Sequence, residues 1–158
     1  MSDLMTQRDL ARRLEQTQVT ERPGGVTGLD VFYVPLTSYT PTYLGGTTAG
    51  ATTYTLQQGS YVRIGSVVIV TGTVAWSAST GTGNAQVSLP IAASATANQN
   101  YAGACVFAGV TFANGPPSAL ITPSNAFFTL NSPITNGASA TVQMEAAGTI
   151  IFSLHYFI

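Results

Sequence analysis

Few residues of this chain could do chemistry. It holds one histidine, His155, and one cysteine, Cys105; beyond residue 30 its only acid is Glu145 and its only base is Arg63. Acyl transfer of the triad type needs a nucleophile, a base and an orienting group. His155 sits between Leu154 and Tyr156, with only Glu145 and Asp30 as candidate carboxylate partners, a setting that suits a core or interface histidine better than a base. Glycoside cleavage needs paired carboxylates, and Glu145 is alone. One His and one Cys do not make a conventional metal site, so no metal or cofactor is expected. The run Gly45-Gly46-Thr47-Thr48-Ala49-Gly50-Ala51-Thr52 has the glycine spacing of a phosphate loop, but Ala51 stands where that loop needs Lys. It reads as a flexible Gly/Thr turn. Cys105, within Gly103-Ala104-Cys105-Val106-Phe107, reads as a small core residue. The expectation is a chain that is not an enzyme.

The charge pattern points the same way. Of 158 residues only 7% are charged, while 45% are hydrophobic; an average soluble domain is about 25% charged. Nine of the eleven charges lie in residues 1–30, Lys is absent, and residues 31–158 keep only Arg63 and Glu145. Such a body has no basic patch for a phosphate backbone, so nucleic acid is not an expected partner. The start, Met1-Ser2-Asp3-Leu4-Met5, lacks the basic region and apolar run of a signal peptide. No stretch approaches the ~18 apolar residues of a membrane-spanning helix. The expected setting is the cytoplasm of the cell that makes it, with no membrane partner.

The elements that must carry these residues fall into three segments. Residues 1–22 read as a helical anchor, with the helix over 6–18. Thr6 and Asp9 form a capping-box-like start, and Leu4, Leu10, Ala11 and Leu14 make an apolar stripe opposite Arg8, Arg12 and Arg13. A helix this short is marginal alone, and Leu4 and Ala11 with Leu14 form only a weak heptad seam. Its expected role is an anchor, either self-associating or docking onto a larger assembly. Pro23-Gly24-Gly25 ends the helix, and 23–40 reads as hinge and linker.

Residues 41–158 read as a β-knob. Runs of β-branched and aromatic residues alternate with Gly, Ser, Thr, Asn and Pro breaks, predicting strands at 52–56, 61–64, 67–77, 86–88, 102–112, 119–122, 126–131, 140–145 and 149–157. In the last of these Ile150, Phe152, Leu154, Tyr156 and Ile158 share one face and Ile151, Ser153, His155 and Phe157 the other, the pattern of a strand central in a sheet or at a subunit interface. The predicted fold is all-β, an antiparallel, jelly-roll-like β-sandwich with a short N-terminal α-helix. A nearly uncharged body with apolar residues on both faces of a strand is hard to keep soluble alone, and a closed homotrimer would hide that surface.

Two stretches carry a resemblance. Gln57-Gln58-Gly59-Ser60-Tyr61-Val62-Arg63-Ile64-Gly65 leads into Val67-Val68-Ile69-Val70-Thr71-Gly72-Thr73-Val74-Ala75-Trp76-Ser77, followed by Thr80-Gly81-Thr82-Gly83 and Val87-Ser88-Leu89-Pro90. The ending is Gly148-Thr149-Ile150-Ile151-Phe152-Ser153-Leu154-His155-Tyr156-Phe157. Over roughly residues 40–158 the chain resembles C-terminal domains of bacteriophage tail fibres and related virion appendages. The resemblance implies a homotrimeric β-domain on the virion surface. It rests on structural motifs, and the long shaft that precedes a fibre tip has no counterpart upstream of residue 31. That difference favours a capsid decoration (cement or head-fibre) protein bound to the major capsid protein.

The alternative is a short tail fibre or receptor-binding tip, attached to a tail or baseplate protein and recognising host surface glycan. There Trp76, with Tyr101, is the candidate sugar-stacking surface, although the place of Trp76 in an alternating apolar strand favours core packing. Arg63 is expected to pair with Glu145 or to cap backbone carbonyls.

Overall fold

A computed structural model of the chain describes residues 34–110, 112, 115–133 and 139–158. The predicted helix over 6–18, and with it Leu4, Arg8, Leu10, Ala11, Arg12, Arg13 and Leu14, lies outside the described residues. So does Asp30.

The described residues are all-β and antiparallel, in ten strands: β1 (Thr37–Tyr39), β2 (Tyr43–Gly45), β3 (Thr52–Ile64), β4 (Val67–Ser79), β5 (Ala85–Ser88), β6 (Tyr101–Ala108), β7 (Ser118–Ile121), β8 (Phe127–Pro133), β9 (Ser139–Thr141) and β10 (Gly148–Phe157). They follow one another across a continuous ladder in the order β1-β3-β4-β10-β6-β7-β8-β5-β2, with β9 beside β8. The expected jelly-roll sandwich gives way to a sheet curled into a half-barrel. Its curl turns on β6, which changes partner midway: Tyr101–Gly103 pair with β7, and Ala104–Ala108 pair with β10. A side chain at Gly103 would collide with Leu154, whose Cδ2 would lie 2.0 Å from an added Cβ.

β3 and β4 form a long hairpin about the Gly65-Ser66 turn. The sequence pattern breaks β3 at Gln57-Gln58-Gly59-Ser60, yet the strand runs unbroken because Gly59 lies opposite Gly72 and both open spaces are filled by rings. Tyr39 covers Gly59, and the Phe152 ring stands 2.5 Å from where a Cβ of Gly72 would be. Near its start β3 carries a bulge at 53–56. Bulges re-aim side chains, and this one sets Tyr54 opposite Trp76 while Leu56 stays opposite Ala75.

The concave face holds the core. Burial alternates along β4 and β10, with Val68, Val70, Val74 and Trp76 buried on one strand and Ile150, Phe152, Leu154 and Tyr156 on the other. They pack with Val87, Ile121, Phe128 and Leu130 from β5, β7 and β8 in one hydrophobic cluster. The two ends of the ladder, β1 and β2, are joined by only 40–42, and side chains close the gap between β2 and β3. The Tyr54 hydroxyl accepts from Tyr43 N–H at 2.8 Å and donates to Tyr43 O at 3.0 Å. Thr52 Oγ1 donates to the same carbonyl, and Gln57 Nε2 donates to Pro41 O. A buried backbone N–H or C=O left without a partner costs about 1–3 kcal/mol, so these hydroxyls and amides do the work of the missing ladder.

Candidate interaction surface

The residues first considered for chemistry do not converge. His155 is exposed on the convex face of β10, opposite Ile69. Glu145 precedes β10 at the other end of the hairpin, where its N–H donates to the Tyr43 hydroxyl and its carbonyl accepts from Trp76 Nε1 at 3.0 Å. The seven residue steps from Gly148 to His155 separate these ends by ~23 Å. Arg63 lies at the far end of β3, exposed, with Nε donating to Gly65 O at 2.9 Å; it caps the hairpin turn, well away from Glu145. Cys105 is half-buried against the core. Burial pushes its thiol up to about 12, opposed by a backbone hydrogen bond at Ala119.

Trp76 and Tyr101 lie in the core. Trp76 is 3% exposed and stacks on Tyr43 with ring centroids 3.9 Å apart, so its face is already covered by a ring. Tyr101 is 9% exposed. Neither offers an open face to a sugar in this chain. The Gly/Thr run 45–52 is tied to 80–84 by backbone bonds, among them Gly46 N–H to Asn84 O and Thr82 N–H to Thr48 O. It is a knitted pair of turns rather than the flexible loop expected.

What the fold does bring together is apolar. Among the described residues, the exposed large hydrophobics are Leu56 and Ile64 of β3, Ile69 of β4, Val106 of β6, Ile151 and Phe157 of β10, and Leu36 just before β1. The register places the six strand residues on one surface, the convex face of β3-β4-β10-β6. Its rows read Ile64–Val67–Phe157, then Val62–Ile69–His155, then Ser60–Thr71–Ser153–Ala104, then Gln58–Thr73–Ile151–Val106, then Leu56–Ala75–Thr149–Ala108. No row contains Asp, Glu, Lys or Arg. The third row is a waist of small side chains between two apolar bands, extended by Ser38 of β1. Over the waist runs a groove of about 670 Å³, with Ser60, Thr71 and Ser153 on its floor and Leu36, Val106 and Ile151 among its walls. The hydroxyls of Ser60 and Thr71 face each other at 3.4 Å.

Comparison with protein-family models, with characterised proteins and with solved structures finds no match.

This surface was only partly visible beforehand. The alternation in 149–157 separates Ile151, His155 and Phe157 from the core residues, and the structure agrees. The signal that would have exposed the whole face is the odd-numbered set of β4, Val67, Ile69, Thr71, Thr73 and Ala75, read beside the odd-numbered set of β10.

Proposed function

We propose that this chain is a non-enzymatic structural protein of a bacteriophage virion, a homotrimeric capsid decoration protein that displays its β-domain on the particle surface. The carrying observation is the convex face of β3-β4-β10-β6, which among the described residues leaves Leu56, Ile64, Ile69, Val106, Ile151 and Phe157 exposed and carries no Asp, Glu, Lys or Arg. Contiguous exposed apolar surface on a soluble domain marks an interaction site, and a structural protein that assembles with copies of itself needs such a surface. The resemblance of 57–90 and 148–157 to phage appendage domains supplies the setting. The charged segment 1–22, which holds Leu4, Leu10 and Leu14 for apolar contact and Arg8, Arg12 and Arg13 for acidic shell residues, is the proposed anchor to the major capsid protein. The chain would be made in the host cytoplasm and carried out on the virion.

Immunogold labelling of purified virions with antibody against residues 34–158 tests this reading. Many labels spread over the head are expected. Label confined to the tail tip would replace decoration by a receptor-binding fibre acting on host glycan through residues such as 78–84 and 113–118. Unlabelled particles would overturn the phage assignment.

A further inference from the structure

We infer that the convex face of β3-β4-β10-β6 is the contact between copies of this chain, and that the copies meet across the small-residue waist. The inference rests on the homotrimeric reading above and names the surface that makes it.

Three observations select a second copy as the occupant. The first is neutrality. The face has no fixed charge, so a partner carrying Lys, Arg, Asp or Glu at the contact would bury those groups unpaired, which is costly. Beyond residue 30 this chain has only Arg63 and Glu145, and neither lies on this face. Its own convex surface is therefore a match of the required kind. The second is size. Ten residues of β10 at ~3.3 Å each, by four strands at ~4.8 Å, give a plan area of roughly 600 Å². The side chains raise its accessible surface toward the ~800 Å² per partner of a stable interface. The third is relief. Stacked sheets approach to ~10 Å, and a row of Ser, Thr and Ala between bands led by Ile69 and Ile151 lets backbones come close at the middle while larger groups interdigitate above and below. Around a three-fold axis parallel to the strands, equivalent rows of the three copies meet at one level. The waist hydroxyls of Ser60, Thr71 and Ser153 then find partners on neighbouring copies.

The test compares the full-length chain with the double variant Ile69→Glu/Ile151→Glu by sedimentation velocity at low micromolar concentration, with circular dichroism to follow the fold. Both side chains point away from the core, so the strand signal is expected to survive while the oligomer falls to single chains. A folded double variant that keeps the wild-type mass would overturn the face while leaving the trimer standing. A wild-type dimer abolished by the variant would keep the face and overturn the trimer. Wild-type single chains would overturn both. If the double variant does not fold, Thr71→Cys decides. Oxidation is expected to give interchain disulfides there and none at Thr129→Cys on β8, and absence of the Thr71→Cys crosslink would overturn the waist contact.

Discussion

At the residue scale, this chain uses its hydroxyls and its indole to satisfy backbone groups. Tyr54 is the clearest case, since its single oxygen serves both the N–H and the carbonyl of Tyr43 at the point where the curled sheet lacks a strand pair. Tyr54→Phe keeps the ring and removes both bonds. The expected loss is about 1–3 kcal/mol, the cost of leaving a buried polar group unpaired, read from urea denaturation. A loss below a few tenths of a kcal/mol would mean water replaces the hydroxyl freely. Trp76 makes the same point: it is the chain's one tryptophan, it stacks on Tyr43, and its N–H is spent on Glu145 O. Its place in an alternating strand had made core packing the better expectation, and its exposure agrees. Cys105 gives a chemical check. With its thiol pushed up to about 12, little thiolate exists near neutrality. Alkylation by iodoacetamide at pH 8 is expected to run many-fold slower than in the urea-unfolded chain, and equal rates would contradict its burial.

At the scale of the element, β10 was the most legible strand and β1 and β2 the least. Alternation in 149–157 separates two faces, and the buried face Ile150, Phe152, Leu154 and Tyr156 is the one found in the core. β1 and β2 are only three residues long and sit among Thr, Pro and Gly, where local pattern is silent; they exist because β3 and β5 offer edges to pair with. Gly59 read as a break because glycine usually weakens a strand, whereas here it and Gly72 give room to Tyr39 and Phe152. Gly72→Ala therefore overpacks the core against the Phe152 ring. The expected cost is about 1–3 kcal/mol in thermal or urea unfolding, and a neutral effect would show that the ring can move aside. The neighbour relations of the strands were not legible at all. Nothing local says that β10 inserts between β4 and β6, so the convex face could be read only strand by strand.

For the molecule as a whole, the scarcity of charge bears on both stability and the proposed self-association. Burial pushes the Tyr43 and Tyr156 phenols up to about 12 from an ordinary value of 10, the former opposed by the bond its oxygen accepts from Glu145 N–H, and the Cys105 thiol to about 12 from 9. In the unfolded chain these groups lose their protons at the lower values. The stability they contribute is thus whole below about pH 9 and is lost as the pH climbs to 12. The melting temperature is expected to fall steeply across that alkaline window, and a midpoint flat to pH 12 would contradict it. The proposed self-association rests on the same composition, because the convex face bears Ile69, Ile151 and Phe157 exposed and no Asp, Glu, Lys or Arg. The mass of the wild-type chain in solution, by sedimentation equilibrium at low micromolar concentration, tests that claim most directly. Three times the 16.4 kDa of the single chain, unchanged on dilution, is the predicted result; 16.4 kDa at every concentration would contradict it.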